Sequence, residues 1–304
     1  VREINGDAMR GRNTAGLQSV PTGTADVTPS SRGMGPVGLG VATGWGTLII
    51  DRRNGDGTIF SDDGGTGTAV DLTFEQSTRA VFGGVDVAFS LDNSGGTLTL
   101  GALVGVLDSS VDFDLTGNRA EFDGPTLGLH MAYANETLRA DLILKRDDLD
   151  LAYSVAGLSD EPGRADAVST GASLEFGVML RETQTMTVEA VGNLSHVSTR
   201  IDNFRIGTTA FDFGRGGTSR GAIGVNVRGT HALGGTKFVP SASLKYWDVF
   251  KGGYSSAIDS VAFSYDGTGS YVEAGAMLEF VNPDNDWSGF LAGSGFFGDE
   301  RSGL

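Results

Sequence analysis

The side chains able to move protons near neutral pH are three histidines, His130, His196 and His231, spread along the chain. As a hydrolase base, one of them would need a nucleophile on one side and an orienting carboxylate on the other. No G-x-S-x-G nucleophile elbow is expected in this chain. The chain has no Cys, which removes thiolate nucleophiles, thiolate metal ligands and disulfides together. The histidines therefore read as solvated groups, and no enzymatic activity, cofactor or metal centre is expected. Residues 51–63, DRRNGDGTIFSDD, have calcium-loop spacing at Asn54, Asp56, Gly57 and Asp63, but the first ligand position falls on Arg52, a cation where a carboxylate is required. That excludes an EF-hand, although Asp62 and Asp63 could hold calcium weakly in an extracellular medium. Asp108, Asp112, Asp114, Glu121 and Asp123, then Asp147, Asp148 and Asp150, read as a solvated acidic rim.

The elements that carry these residues must be strands. The chain has 304 residues, which fits two average domains or one large β-barrel. Its 48 Gly and 7 Pro show no G-X-Y period, which excludes collagen and disfavours a long helical bundle. With 39% hydrophobic and 20% charged residues, the chain is too apolar in its local runs to stay wholly disordered. No run approaches the 18 to 20 apolar residues that a membrane-spanning helix needs, so any membrane role falls to strands. A net charge of -16 repels phosphate backbones and disfavours nucleic-acid binding. The sequence opens on Val1 with no signal-peptide pattern, and is read as a processed or trimmed product.

Beyond about residue 40 the hydrophobic period is two. Leu127, Leu129, Met131 and Tyr133 alternate with small or polar residues, as do Leu138, Ala140, Leu142 and Leu144 with Arg139, Asp141, Ile143 and Lys145. The run Val168, Thr170, Ala172, Leu174, Phe176, Val178, Leu180 extends the pattern beyond the usual strand of about 5 to 6 residues. Eleven strands result, at roughly 40–51, 78–91, 97–108, 125–134, 137–148, 166–181, 185–198, 218–232, 236–248, 268–280 and 286–298. Short connections alternate with long ones at about 52–77, 109–124, 149–165, 199–217 and 249–267, which describes an up-and-down antiparallel meander.

A meander of that size must close to hide its edges, which predicts an all-β, up-and-down antiparallel barrel of about twelve strands. About twelve strands enclose more space than Val, Leu and Gly side chains would fill, so the polar set is placed inside and the apolar set against lipid. The expected lumen-facing residues are Asp86, Arg139, Asp141, Lys145, Glu175, Glu189, Asn193, Asn226, Arg228, Lys237, Lys245, Glu273 and Glu279. Trp45, Tyr133, Tyr246, Trp247 and Trp287 are placed in an aromatic girdle near strand ends. The in-strand glycines Gly44, Gly46, Gly83 and Gly84 would permit bending or close approach of a lumen occupant. Short turns are assigned to the periplasm and long loops to the exterior. The eleventh strand then runs outward, only 299–304 follow it, and the strand that would close the barrel is expected to be missing.

Several segments resemble the autotransporter β-domain, the outer-membrane translocator of type V secretion in Gram-negative bacteria. Residues 74–89 (FEQSTRAVFGGVDVAF) and 97–106 (TLTLGALVGV) are similar to that family's second and third strands. Residues 238–247 (FVPSASLKYW) are similar to its P-x-A-x-L-x-Y/W strand, 269–280 (GSYVEAGAMLEF) to its tenth, and 297–303 (FGDERSG) to the hairpin before its last. The resemblance spans about 40–304, and departs from the family where an aromatic-ended closing strand would stand. It implies an anchor that carries an N-terminal passenger to the cell surface, inserted into outer-membrane lipid by the barrel-assembly machinery. Residues 1–39 are then a linker threading the lumen ahead of a barrel at 40–304. Some family members cleave themselves at an Asn in this linker, for which Asn5 and Asn13 stand against an uncleaved linker. A stand-alone porin or surface-structural barrel without a passenger is the alternative function, and a soluble β-rich adhesin the third.

Overall fold

The structure is a computed structural model that describes residues 41–62, 68–91, 96–114, 117–183, 185–233, 236–259, 261–266, 268–282, 287–298 and 301–303. The proposed linker at 1–39, with Asn5 and Asn13, lies outside the described residues, as do the side chains of Asp62, Asp63 and Trp287. The rest is strand: β1 Val41–Asp62, β2 Thr68–Leu91, β3 Gly96–Phe113, β4 Arg119–Ala134, β5 Leu138–Ser154, β6 Gly163–Glu182, β7 Met186–Ile201, β8 Phe204–Ile206, β9 Thr209–Asp212, β10 Arg215–Gly229, β11 His231–Leu233, β12 Thr236–Ile258, β13 Val261–Asp266, β14 Gly269–Asn282, β15 Trp287–Gly298 and β16 Arg301–Gly303.

These strands form one curled antiparallel sheet with eleven long staves, in the order β10, β7, β6, β5, β4, β3, β2, β1, β16, β15, β14, β12, and β12 pairs back onto β10. The twelfth position is held by three-residue β16, which pairs Arg301–Gly303 with β1 at Arg53–Gly55 and with β15 at Phe296–Gly298. Below it, Val41–Arg52 of β1 and Trp287–Gly295 of β15 are paired on one side only among the described residues.

The expected long polar loops are a correction. Most of their length continues the ladder: β1 runs to Asp62, β3 to Phe113, β5 to Ser154 and β12 to Ile258. Residues 51–62, weighed as a calcium loop, are strand paired with β2. β8 and β9 are the tip of the β7–β10 hairpin, whose register continues from Arg215↔Arg200 to Phe204↔Phe211. β13 pairs with both β12 and β1, so at the long-loop end the ring closes through β13 above the shorter β14, β15 and β16.

On β5 the two faces exchange polarity along the strand. The outward positions Leu138 and Leu144 are exposed and apolar, and from Arg146 onward that face becomes Arg146, Asp148, Asp150, Ala152 and Ser154. The inward face runs the other way, from Arg139, Asp141 and Lys145 to buried Leu149, Leu151 and Tyr153. Neighbouring staves align these zones. Exposed apolar cross-strand pairs such as Leu129↔Leu144, Leu174↔Leu194, Val225↔Leu244 and Leu278↔Leu291 form an outer belt. A water-soluble monomer rarely exposes a contiguous apolar surface beyond a few hundred Å².

At the long-loop end the inward face packs one apolar core that draws side chains from β1 to β9, β12 and β13. Val111, Ala120, Tyr153 and Phe213 are wholly buried in it. Tyr153 of β5 meets Phe204, Phe211 and Phe213, with ring centroids 6.1, 6.0 and 5.6 Å away, and Phe204 stacks on Phe211 at 5.1 Å. A Cβ at Gly163, which lies opposite Tyr153, would collide with the Phe204 ring, so glycine leaves the space the ring fills.

Candidate functional site: the charged inner face

Below the aromatic core, the alternation of each stave turns its even or odd polar set toward the inside of the curl, and long-range ladder pairing brings the charges of six staves together. Glu175 of β6 accepts from Arg139 of β5 at 2.8 Å and from Lys245 of β12 at 2.8 Å. Arg139 also reaches Glu189 of β7 at 3.3 Å. Glu175 and Lys245 belong to strands 70 residues apart in sequence, so this contact spans the curl. Next to this group, His130 of β4 stands between two carboxylates, 3.6 Å from Asp86 of β2 and 3.2 Å from Asp141 of β5, all three nearly inaccessible. The 3.2 Å approach gives charge attraction without hydrogen-bond alignment, and neither Asp141 oxygen has a hydrogen-bond donor among the described residues. Lys145 lies 3.1 Å from Asp147, whose carboxylate accepts from the Thr126 hydroxyl at 2.6 Å.

The thirteen residues singled out by alternation divide by burial. Asp86, Asp141, Lys145, Glu175, Asn193, Lys245 and Glu279 are buried. Arg139, Glu189, Asn226, Arg228 and Glu273 are partly buried, and Lys237, next to a short turn, is exposed. Ion pairs gather six of them in two adjacent groups, Asp86 and Asp141 around His130, and Arg139, Glu175, Glu189 and Lys245 together. Asn193 donates to Ser173 at 3.4 Å, and Glu273 accepts from the Trp247 indole at 2.8 Å.

Several expectations are corrected by packing. His130 is 5% exposed and not solvated. Asp147 faces inward toward Lys145, not into the acidic rim. Trp45 and Trp247 leave the girdle: Trp45 packs against the apolar core, and Trp247 is buried beneath the Arg220 guanidinium, 4.5 Å from its ring, beside Tyr271. Tyr246 does point outward, half exposed. A Cβ on Gly84 would strike the Trp45 ring, so this glycine admits an indole from the adjacent stave.

Arg220 went unnoticed in the sequence although it knits three staves, donating to Ser195 at 2.9 Å and to the Tyr271 hydroxyl at 2.8 Å. The expectation of no G-x-S-x-G pattern is corrected: residues 217–221, GTSRG, have that spacing, but they lie within β10 and not at a strand-to-helix turn. There Ser219 meets His196, its exposed cross-strand partner, at 2.9 Å. Among the described residues no carboxylate orients that imidazole, so the contact is a cross-strand pair without the third member of a triad. Above the belt, Arg146 hydrogen-bonds Asp148 and holds its carboxyl below the ordinary carboxylate range. No group of described residues has the geometry of a metal site.

A curled antiparallel sheet, with an apolar outer belt and a ring of inward charge, is the architecture of an outer-membrane barrel, and the family model of the autotransporter β-domain matches residues 55–294. The chain belongs to the autotransporter β-domain family. Autotransporter β-domains are outer-membrane barrels of Gram-negative bacteria. Three solved structures share the fold. The β-domain of the Bordetella autotransporter BrkA aligns at 17% identity over 88% of this chain and 95% of its own, with a TM-score of 0.60. The NalP translocator domain of Neisseria meningitidis aligns at 15% over 90% and 88%, TM-score 0.57. The transport unit of Escherichia coli AIDA-I aligns at 12% over 84% and 86%, TM-score 0.53. No curated protein matches the sequence. At these identities the structural likeness concerns the fold of this autotransporter β-domain alone.

Proposed function

We propose that this autotransporter β-domain anchors an N-terminal passenger in the outer membrane and carries it to the cell surface, with residues 1–39 threading the sheet's interior. In this reading the apolar belt faces lipid, the barrel-assembly machinery inserts it, short turns lie in the periplasm, and the β8–β9 and β13 end lies outside. The inner charges line a polar passage, and the domain's work is mechanical and electrostatic, without bond chemistry. The observation that carries the reading is the inward ion-pair group of buried Glu175 and Lys245 with partly buried Arg139 and Glu189, behind an exposed belt of Leu, Val and Phe. A soluble core has the opposite arrangement, because burying charge without full pairing costs several kcal/mol per ion (of that order). Asp141 and Asn193 keep acceptor oxygens without a hydrogen-bond donor among the described residues, which suits an interior that takes in water or a polar peptide.

The test is a combined reversal, Arg139→Glu with Lys245→Glu and Glu175→Lys with Glu189→Lys. Surface display of the passenger should fall while heat-modifiable migration of the folded barrel persists. Unchanged display with native migration would count against the lumen role. A porin without a passenger would give steady single-channel conductance in planar bilayers, which the apolar core at the long-loop end argues against.

A further inference from the structure

The hairpin tip β8–β9 leaves the stave it extends. On β7 the buried positions are odd, Val197, Thr199 and Ile201, yet on β8 they are even, Phe204 and Ile206. On β10 they are even, Gly216, Thr218 and Arg220, and across 213–214 they become odd, Phe213 and Phe211. Both strands therefore slip phase at the same level, at 202–203 and 213–214. Gly214 takes φ 54° there, a left-handed value that disfavours other residues. An open surface pocket of about 510 Å³ lies beside the break, lined by Arg200, Ile201, Asp202, Asn203, Gly214 and Arg215. Beyond it the tip turns one apolar face, Phe204, Ile206, Phe211 and Phe213, into the core around Tyr153.

The tip is fastened from the far side by β12, whose Ala257 and Ile258 pair with Asp212 and Phe211 of β9, and by one residue just beyond that strand. Asp259, in the connection between β12 and β13, donates its backbone N–H to the Ala210 carbonyl at 2.9 Å and accepts the Ala210 N–H on its carboxylate at 2.8 Å. It does so at φ 51°, and no other non-glycine residue among those described has positive φ. Asp tolerates this region better than most residues, but the conformation is strained and the surrounding structure must offset it.

We propose that the β8–β9 tip is a hinged aromatic seal over the outer mouth, bending at 202–203 and 213–214 and latched to the end of β12 by the Ala257–Ile258 pairing and by Asp259, and that the mouth opens only when the tip swings out. This rests on reading the inner face as a lumen. The seal closes a conduit as a packed core closes a domain: its rings are removed from water in the latched state and must be wetted to open it.

Because the chain has no Cys, one introduced thiol reports cleanly. Ser243→Cys on the inner face of β12 is probed in intact cells with a bulky, membrane-impermeant maleimide, and Asp150→Cys on the exposed face of β5 serves as the outside control. With the tip intact, Cys at 243 should stay unlabelled while Cys at 150 labels fully. Asp259→Ala, or Phe204→Ser with Phe211→Ser and Phe213→Ser, should raise labelling at 243 at least tenfold with native heat-modifiable migration. Asp259→Asn, which tolerates the same φ and keeps an acceptor oxygen, should restore protection. Labelling at 243 from outside with the tip intact overturns the seal, as does continued protection in folded tip variants. A thiol at 243 that small water-soluble reagents cannot reach even in permeabilised cells overturns the lumen reading together with the seal.

Discussion

Tyr153 and Phe213 meet edge to face, with ring centroids 5.6 Å apart and planes at 87°. Their staves are separated by β6 and by the β7–β8 stave, three ladder spacings or about 14 Å along a sheet. The contact therefore requires the sheet to curl tightly at this end. Phe213→Ala should destabilise the folded barrel by about 3–5 kcal/mol, as for other buried aromatics. In a double-mutant cycle with Tyr153→Phe and Tyr153→Ala, the ring pair should show about 0.5–1.5 kcal/mol of coupling, lost with the ring and kept without the hydroxyl. Urea titration followed by heat-modifiable migration reads both.

Glu175 holds two cations, so losing it leaves Arg139 and Lys245 short of a counter-charge. Glu175→Gln should cost about 3–5 kcal/mol, the usual penalty for breaking one side of a buried pair. Pairing Glu175→Leu with Lys245→Met, while Arg139 keeps Glu189, should recover more than half of that loss in the same titration. Equal losses for the single and the paired substitution would show that the charges are hydrated and not buried.

Gly84→Val should unfold or loosen the barrel wall, because its Cβ would overlap the Trp45 ring and crowd the Ala102 carbonyl, and Trp45→Ala should recover part of the loss by opening the indole's space. Tm by intrinsic fluorescence and gel migration check the pair. A Gly84→Val chain as stable as the parent would mean that the Trp45 ring sits elsewhere.

On the exposed face, Asp108, Asp123, Asp150 and Asp166 lie directly opposite one another on four successive staves. Like charges in direct cross-strand register repel. Asp123→Asn should therefore stabilise the fold by about 0.2–1 kcal/mol. The gain should shrink in 1 M salt, where the screening length falls to about 3 Å. Chemical denaturation at low and high salt separates this from a packing effect, which salt would leave unchanged.

Much of the belt was legible from period two alone: Leu127, Leu129, Met131, Leu174 and Val178 all stand exposed on the face their alternation assigned. The long-loop end was not, although its period is also two. Val111 and Phe113 alternate with Ser110 and Asp112, and Ala120 and Phe122 with Arg119 and Glu121. There the buried set is apolar, so the pattern is inverted relative to the belt, and abundant Asp, Gly and Ser hid the strands as loops. Nearness to strand ends, which alone places Trp45 and Trp247 in a girdle, is blind to the face a residue takes. His130 looked solvated because its two carboxylate neighbours lie 44 and 11 positions away, and only the ladder brings them beside it. The closure through β13 and the phase slip at 202–203 and 213–214 depend on contacts between distant hairpins, which periodicity within one strand does not encode.

Single spin labels placed one at a time along β6 in lipid bilayers test most directly whether the greasy face meets hydrocarbon. Labels at 174, 176 and 178 should collide preferentially with oxygen, those at 175 and 177 should be shielded from it, and those at 164 and 166 should meet the water-soluble nickel complex. If 174, 176 and 178 instead favoured the nickel complex over oxygen, Leu174, Phe176 and Val178 would face water, and the account of this chain as a membrane-embedded translocator would be contradicted.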